Sequence, residues 1–401
     1  MVVHAYYPLG ETRVQREAER LVRAGYAVDV ICLRDTGERP RESHRGVQIH
    51  RLDVQLDKRG LGHQLVSYLR FGVRATGRLA ALHRRNPYRS VQIHNLPDFL
   101  VFSAIMPKLH RVPVILDLHD LMPEFFAGRF SASTMRARTM GQLVERQERL
   151  ACRFADHVIT VSEHWRQALI RRGVPAAKCS VVMNVADDEI FKPPVRRSVT
   201  PGAFSLIYHG TVARRYGLDL AVRAVAMLRS EIPGIELTIL GKGDDMPALA
   251  ALRAELQLER HVHLRDELVH AEQLPDLIAR ADLGIVPYRD DVFTDGLLPT
   301  KLMEYAALGV PCVAARTTAI EAYFRDTMVA FFTPGDASDL ARQVRDLYES
   351  PEQLQALARG SRDFVRKHNW AGIGSEYVAL VERLGAPTTA ARRLARVGPG
   401  G

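Results

Sequence analysis

Short runs rich in β-branched residues alternate with longer amphipathic stretches along nearly the whole chain, and the alternation occurs in two series. The first series of runs falls at residues 2–5, 28–33, 91–93, 112–116, 157–161 and 180–183; the second falls at 205–208, 236–240, 262–264, 283–286, 311–314 and 330–332. Runs of that length followed by helical periodicity predict parallel strands covered by helices. Two such series predict an α/β fold of two Rossmann-like domains in tandem, facing a central cleft. Between them Lys192-Pro193-Pro194 and a basic polar stretch to Pro201-Gly202 interrupt the rhythm without starting a new period. The expected organisation is therefore a first domain at 1–191, a linker at 192–202, a second domain at 203–385 and an Arg-, Ala- and Gly-rich tail at 386–401. In open parallel sheets ligands gather beyond the carboxyl ends of the strands, so the residues just after each run are the first places to look for chemistry.

The 401 residues exceed what one ordinary core organises, in keeping with two domains. No apolar run approaches the roughly 18 residues that span a bilayer, and Met1 to Ala5 leads into a strand rather than a secretory leader. The expected location is cytoplasmic. Cys32, Cys152, Cys179 and Cys312 are scattered, form no CxxC pair and have no zinc spacing, so reduced buried thiols are expected, with no disulfide, metal or other cofactor.

Charge is unevenly placed. Residues 1–195 carry 30 basic and 20 acidic side chains, against 25 and 26 in the remainder. A basic first half favours an anionic partner: an acceptor that is phosphorylated or lipid-linked, or peripheral contact with an anionic membrane at its inner face. Nucleic acid is not expected, because no recognition helix, zinc finger or aromatic-basic stacking pattern is present. Residues 61–85 read as a basic amphipathic helix with Leu65, Leu69, Val73 and Leu82 at apolar positions and Arg70, Arg74, Arg78, Arg84 and Arg85 at polar ones. Such a helix either packs its apolar stripe on its own sheet or lies at a membrane interface. Phe125-Phe126-Ala127-Gly128-Arg129-Phe130 offers rings beside cations, which either close the first domain's cleft or enter a membrane interface.

The segment Leu298-Pro299-Thr300-Lys301-Leu302-Met303-Glu304-Tyr305-Ala306-Ala307-Leu308-Gly309 runs from a loop into a short helix. A helix N-terminus offers unpaired amides, Lys301 adds a mobile cation, and a carboxylate one turn on can hold vicinal hydroxyls. Together these suit a ribose joined to a diphosphate; an ordinary helix start with a surface lysine and glutamate is the alternative.

That segment, with Tyr208-His209-Gly210-Thr211 and Gly217-Leu218-Asp219, resembles family 4 of the retaining GT-B glycosyltransferases. Tyr6-Tyr7-Pro8-Leu9-Gly10, Leu116-Asp117-Leu118-His119-Asp120, Thr160-Val161-Ser162-Glu163, Asn184 and Ile239-Leu240-Gly241-Lys242-Gly243 match in order, so the resemblance covers nearly the whole chain. It implies a glycosyltransferase using a nucleotide diphosphate sugar, with a UDP-sugar favoured, in cell-envelope or secondary-metabolite glycoconjugate synthesis. Glu304 would be the second glutamate of the paired-glutamate motif, gripping the donor ribose. The first falls eight positions earlier, where Gly296 stands; either Asp295 substitutes or the donor lacks the hydroxyl that the usual glutamate reads. After Gly210 the family's arginine and lysine are replaced by Thr211 and Tyr216, so the diphosphate role passes to Arg214, Arg215 and Lys301, Arg215 first. The same resemblance places Gly10, Gly210, Thr211, Gly241, Gly243, Leu298 and Thr300 around the donor. His119 would lie close to the transferred sugar; a carboxylate that fixes its tautomer, or a metal held with Asp117 and Asp120, are the other readings, and the metal is discounted. Asn95, Asp98, Asp120 and Glu124, which follow first-domain strands, are the acceptor-side candidates. The implied mechanism needs no protein nucleophile: the acceptor hydroxyl enters on the face from which the diphosphate leaves, with Arg215, Lys301 and helix amides stabilising the departing charge. The competing readings are a non-enzymatic two-lobed binding protein and a nucleotide-sugar epimerase of the same fold.

Overall fold

The computed structural model describes residues 1–8, 11–55, 60–129, 135–193 and 204–386. The chain divides into two compact units, Met1–Met183 with Ile373–Gly401, and Asn184–Gly372.

The first unit contains strands β1 (Val2–Tyr6), β2 (Asp29–Leu33), β3 (Arg41–His44), β4 (Val47–Leu52), β5 (Val91–His94), β6 (Val114–Leu118), β7 (His157–Thr160) and β8 (Cys179–Val181). They form one sheet in the order β3-β4-β2-β1-β5-β6-β7-β8. Every adjacent pair is parallel except β3 and β4. All five residues of β6 are buried, as befits a strand covered on both faces. The direction of winding reverses between β1 and β5, and such a switch point opens a crevice at the carboxyl ends.

The second unit contains β9 (Phe204–His209), β10 (Ile235–Leu240), β11 (Val262–Arg265), β12 (Leu283–Val286), β13 (Cys312–Ala315) and β14 (Ala330–Phe332). Its order is β11-β10-β9-β12-β13-β14, parallel throughout, with the switch point between β9 and β12. Strands β12 and β13 are buried along their whole length. Local sequence chemistry sets where its helices begin. Asp291 caps Val292–Gly296 in a reciprocal box with Thr294, and Asp336 accepts from the amides of Ser338 and Asp339 at the start of Ala337–Glu349. Both units are therefore Rossmann-type, as the alternation predicts.

Three expectations are corrected here. The hairpin of β3 and β4 has no counterpart among the predicted runs, because β3 is a short, largely exposed polar edge without an apolar signature. Its turn is Arg45-Gly46, both with positive φ, the backbone that matches the twist of paired strands. The boundaries also differ: the second unit begins at Asn184 and the chain from Ile373 returns to the first. The return is anchored by Tyr377, fully buried, whose hydroxyl donates to Gln92 Oε1 at 2.6 Å. The expected linker lies mostly outside the described residues, as does the tail beyond 386. Finally, helix Leu61–Arg85 packs through Ser67, Phe71, Ala75 and Leu79, whereas Leu65, Leu69 and Val73 are exposed. The four cysteines are free and buried.

Candidate functional site

In the second unit the chain leaves β9 through Gly210 and enters a loop held against the loop that follows β10. Gly210 donates its amide to the Leu240 carbonyl at 2.9 Å, and Val212 donates to that of Lys242 at 2.9 Å. A Cβ added at Gly241 would stand 1.8 Å from the Gly210 oxygen, and one at Gly243 would stand 1.7 Å from the Val212 oxygen. Only glycine permits this approach, so the pair is a packing requirement and not merely a turn.

Helix Thr300–Leu308 starts after Pro299 and ends at Gly309. Lys301, on its first turn, is 7 % exposed. Its ammonium donates to the Tyr288 hydroxyl at 2.9 Å and lies 4.9, 5.5 and 5.2 Å from the ring centres of Tyr208, Tyr216 and Tyr288. The expected mobile cation is thus fixed within a cage of three tyrosines that sequence reading did not assign. Burial lowers its pKa to about 8, against the opposing pull of Glu304. One turn on, Glu304 Oε2 lies 3.2 Å from His209 Nε2. Burial, reinforced by the Lys301 charge, pushes His209 down to about 3, so its imidazole is neutral at ordinary pH. His209 belongs to the Tyr208-His209-Gly210 motif, which was the available signal for it.

Arg215, half-buried on the 3-10 turn Arg214–Tyr216, places its guanidinium 5.1 Å from the Phe293 ring centre, while Arg214 is exposed. Thr211 is exposed and its carbonyl accepts from the Tyr208 hydroxyl at 2.6 Å. Thr300 opens the helix half-buried, and Leu298 is buried. Asp295 is engaged elsewhere: its Oδ1 accepts the Thr318 amide at 2.7 Å, at the start of helix Thr318–Glu321. A carboxylate spent on holding a helix end is poorly suited to replace the missing glutamate. Gly10 lies outside the described residues.

In the first unit His119 follows β6 and meets a buried charge cluster. Its Nε2 is 3.1 Å from His94 Nδ1 and 3.5 Å from Asp117 Oδ2, and its Nδ1 is 3.7 Å from Glu11. Arg13 grips both oxygens of Asp117, at 3.1 and 2.9 Å, and its Nη2 lies 3.2 Å from Glu17. Gln92 donates to Glu17 at 2.7 Å and to Asp117 at 3.2 Å. Burial disfavours charge on every member, and neighbours decide which keeps it. Asp117 is held well below its ordinary value because Arg13 and His119 outweigh its burial. His119 is likewise raised by Asp117 and Glu11 against its burial, whereas burial lowers His94 to about 4 and raises Glu17 to about 8. Asp117 and His119, two residues apart, share a side, as alternation along an extended chain brings about. His94, Asp117 and His119 present ligand atoms within 4.8 Å of one another.

The acceptor-side candidates are largely committed within this unit. Asn95 accepts the His119 amide at 2.8 Å and donates to Asp98 and to the Asp120 carbonyl. Asp98 is fully buried, which lifts it to about 6. Glu124 pairs with Arg172 at 2.5 Å, beside Glu148. Asp98 and Glu124 are therefore corrected to structural roles, and Asp120 keeps a half-buried place next to His119.

Residues 10–184 match the family model of the glycosyl transferase 4-like domain, and residues 203–350 match that of glycosyl transferases group 1. Glycogen synthase of Mycobacterium tuberculosis is 28% identical over 293 residues, covering 72% of this chain and 68% of that one. D-inositol 3-phosphate glycosyltransferase of Pseudarthrobacter chlorophenolicus is 22% identical over 393 residues, covering 92% and 90%. Among solved structures, sucrose-phosphate synthase from Thermosynechococcus elongatus superposes with a TM-score of 0.72 at 19% identity, covering 93% and 92%. Anabaena HepE in complex with UDP-glucose superposes with a TM-score of 0.71 at 18% identity, covering 95% and 98%. The binding-protein and epimerase readings draw no support from these matches. Two family models spanning most of the chain, laid over two Rossmann-type units in the expected order, place this chain among the glycosyltransferases of the GT-B fold.

Proposed function

We propose that the chain transfers a hexosyl group from a nucleotide diphosphate sugar to an acceptor hydroxyl, with retention at the anomeric carbon. The observation that carries this reading is the placing of Lys301 and Glu304 on successive turns of one helix, beside His209 and the Gly210 loop at the second unit's switch point. Glu304 is assigned to the ribose hydroxyls. Lys301, Arg215, the helix amides and the amides near Gly210 are assigned to the diphosphate. The bond from the anomeric carbon to the diphosphate oxygen breaks, the oxygen keeps the electron pair, and the acceptor oxygen bonds to that carbon while its proton passes to the leaving group. Cations already fixed in place stabilise the departing charge without reorganising. A UDP-sugar is the favoured donor, supported by the neighbour solved with UDP-glucose.

The first unit is assigned the acceptor, with His119 as the polar group it offers to the sugar and a phosphorylated or lipid-linked molecule as the acceptor class. The basic excess of the first half supports that class. No metal is assigned: both Asp117 oxygens are bonded to Arg13, and a divalent ion there would face the guanidinium charge. Transfer should therefore survive EDTA; loss of activity restored by a divalent ion would promote His94, Asp117 and His119 to ligands. The donor assignment is tested by thermal shift with a panel of nucleotide sugars. A UDP-sugar should raise the melting temperature of the wild type and not of Glu304→Ala. No shift with any nucleotide sugar at millimolar concentration would remove the donor site from this unit.

A further inference from the structure

Helix Leu61–Arg85 carries five arginines and no carboxylate in its 25 residues. Its buried stripe of Ser67, Phe71, Ala75 and Leu79 fastens it to the first unit. A second row of the same spacing points away from that stripe: Leu65, Leu69 and Val73 are 49%, 51% and 74% exposed. Single exposed leucines are ordinary on any protein, but three at intervals of four residues make one continuous ridge. The helix packs against the neighbouring segment. A Cβ added at Gly72, about 20° around the helix from Leu65, would meet Leu100 Cδ1 at 4.0 Å. The edge of the ridge thus adjoins the turn Asp98–Ala104, and the helix that continues it, Ile105–Leu109, exposes Ile105 and Leu109. On the ridge's other flank stand Arg70 and Arg74, both exposed, with Arg74 donating to the Asp53 carbonyl.

We propose that this face of the first unit rests on an anionic membrane, with Leu65, Leu69 and Val73 entering the headgroup layer and Arg70 and Arg74 meeting lipid phosphates. An apolar row bordered by cations is the pattern of interfacial helices. Charge complementarity decides the occupant. A second copy of the chain laid on the same face would bring arginine against arginine, with no carboxylate from this helix between them, whereas a lipid phosphate layer supplies the missing anions. The wider first half has the same sign, with 30 basic against 20 acidic side chains in residues 1–195. Among the described residues no helix is long and apolar enough to cross a membrane, so the contact is peripheral.

Vesicle flotation tests this without any nucleotide sugar, and so independently of the donor assignment. The wild type should float with vesicles of equal parts phosphatidylcholine and phosphatidylglycerol, not with phosphatidylcholine alone, and should detach as salt rises. Changing Leu65, Leu69 and Val73 together to Asn should abolish flotation. Changing Arg70 and Arg74 together to Gln should weaken binding about fivefold per charge, roughly twenty-five-fold in all. Leu65, Leu69, Val73, Arg70 and Arg74 lie outside the buried stripe, and Arg74 gives up only its bond to the Asp53 carbonyl, so both variants should melt near the wild type; if the Asn variant does not fold, the Gln variant decides. Equal binding to neutral vesicles, wild-type flotation of either variant, or absence of flotation overturns the proposal. So does a concentration-dependent dimer that ignores vesicles and disappears in the Asn variant.

Discussion

An ammonium group buried among three tyrosine rings is costly until an anion reaches it, and Lys301 is such a group. Its folded pKa of about 8 lies below the ordinary lysine value of 10.5. Between those values the unfolded chain binds more protons than the folded one, so this residue's penalty is fully present below about pH 8 and is relieved as pH rises through the window. Replacing Lys301 by Met keeps the length and removes the buried charge. Lys301→Met is therefore expected to stabilise the protein at neutral pH by on the order of 1–3 kcal/mol, while nucleotide diphosphate binding collapses; calorimetry and urea melts report the two effects separately. The same shift gives the wild type a pH signature, since donor affinity should fall above about pH 8 as the ammonium loses its proton. Lys301→Arg should flatten that fall, because guanidinium stays charged. A flat wild-type profile would remove Lys301 from the diphosphate. Glu304→Ala should cost donor affinity at least about 1.4 kcal/mol, tenfold, and leave melting within a few degrees; titration calorimetry with the donor decides.

At the scale of elements, the loops after β9 and β10 are one device. Each backbone passes so close to the other that a methyl at Gly243 collides with the Val212 carbonyl at 1.7 Å. Gly243→Ala must push the Gly210 loop away, and it should lower donor affinity more than tenfold while costing roughly 1–3 kcal/mol of stability as overpacking does. Wild-type donor binding in that variant would show that the loop geometry is not used. The close approach of these glycines left no mark in local spacing, where such a pair reads as a turn, and only the family resemblance singled them out. Strands β6, β12 and β13 were legible because burial on both faces makes them continuous apolar runs. Edge strand β3 lacks that burial and was missed. What brings Arg13 to Asp117 is a pairing across 104 residues, and what brings Tyr377 to Gln92 spans 285. Neither leaves a mark on local composition. The same blindness hid the partners of Asp98, Glu124 and Asp295, each a polar residue after a strand or beside a motif whose side chain is engaged within its own unit.

Across the whole molecule, buried titratable groups are shared unequally between the two units, and acid should expose the difference. In the first unit burial lowers His4, His94 and His157 to about 4 each. A histidine of depressed pKa loses stability as pH falls below its unfolded 6.5, because the unfolded chain takes up the proton first. The same unit carries an offset: burial raises Glu17 to about 8, Glu148 to about 7 and Asp98 to about 6. A carboxyl of raised pKa regains stability as pH falls from its folded value toward the unfolded one, so between about pH 6.5 and 4.5 the two sets oppose each other. In the second unit burial lowers His209 to about 3, and among the described residues Asp245 is the one carboxyl of that unit that burial raises against it. His209 should cost about 1.4 kcal/mol per pH unit across that window. The second unit is therefore expected to unfold at higher pH than the first. The chain's two tryptophans make this measurable, since Trp165 is buried in the first unit and Trp370 belongs to the second. Acid titrations of Trp370→Phe, which reports on Trp165, and of Trp165→Phe, which reports on Trp370, should show the Trp370 signal changing first. His209→Gln should bring that transition to lower pH; coincident transitions in both reporters would mean that the units unfold as one.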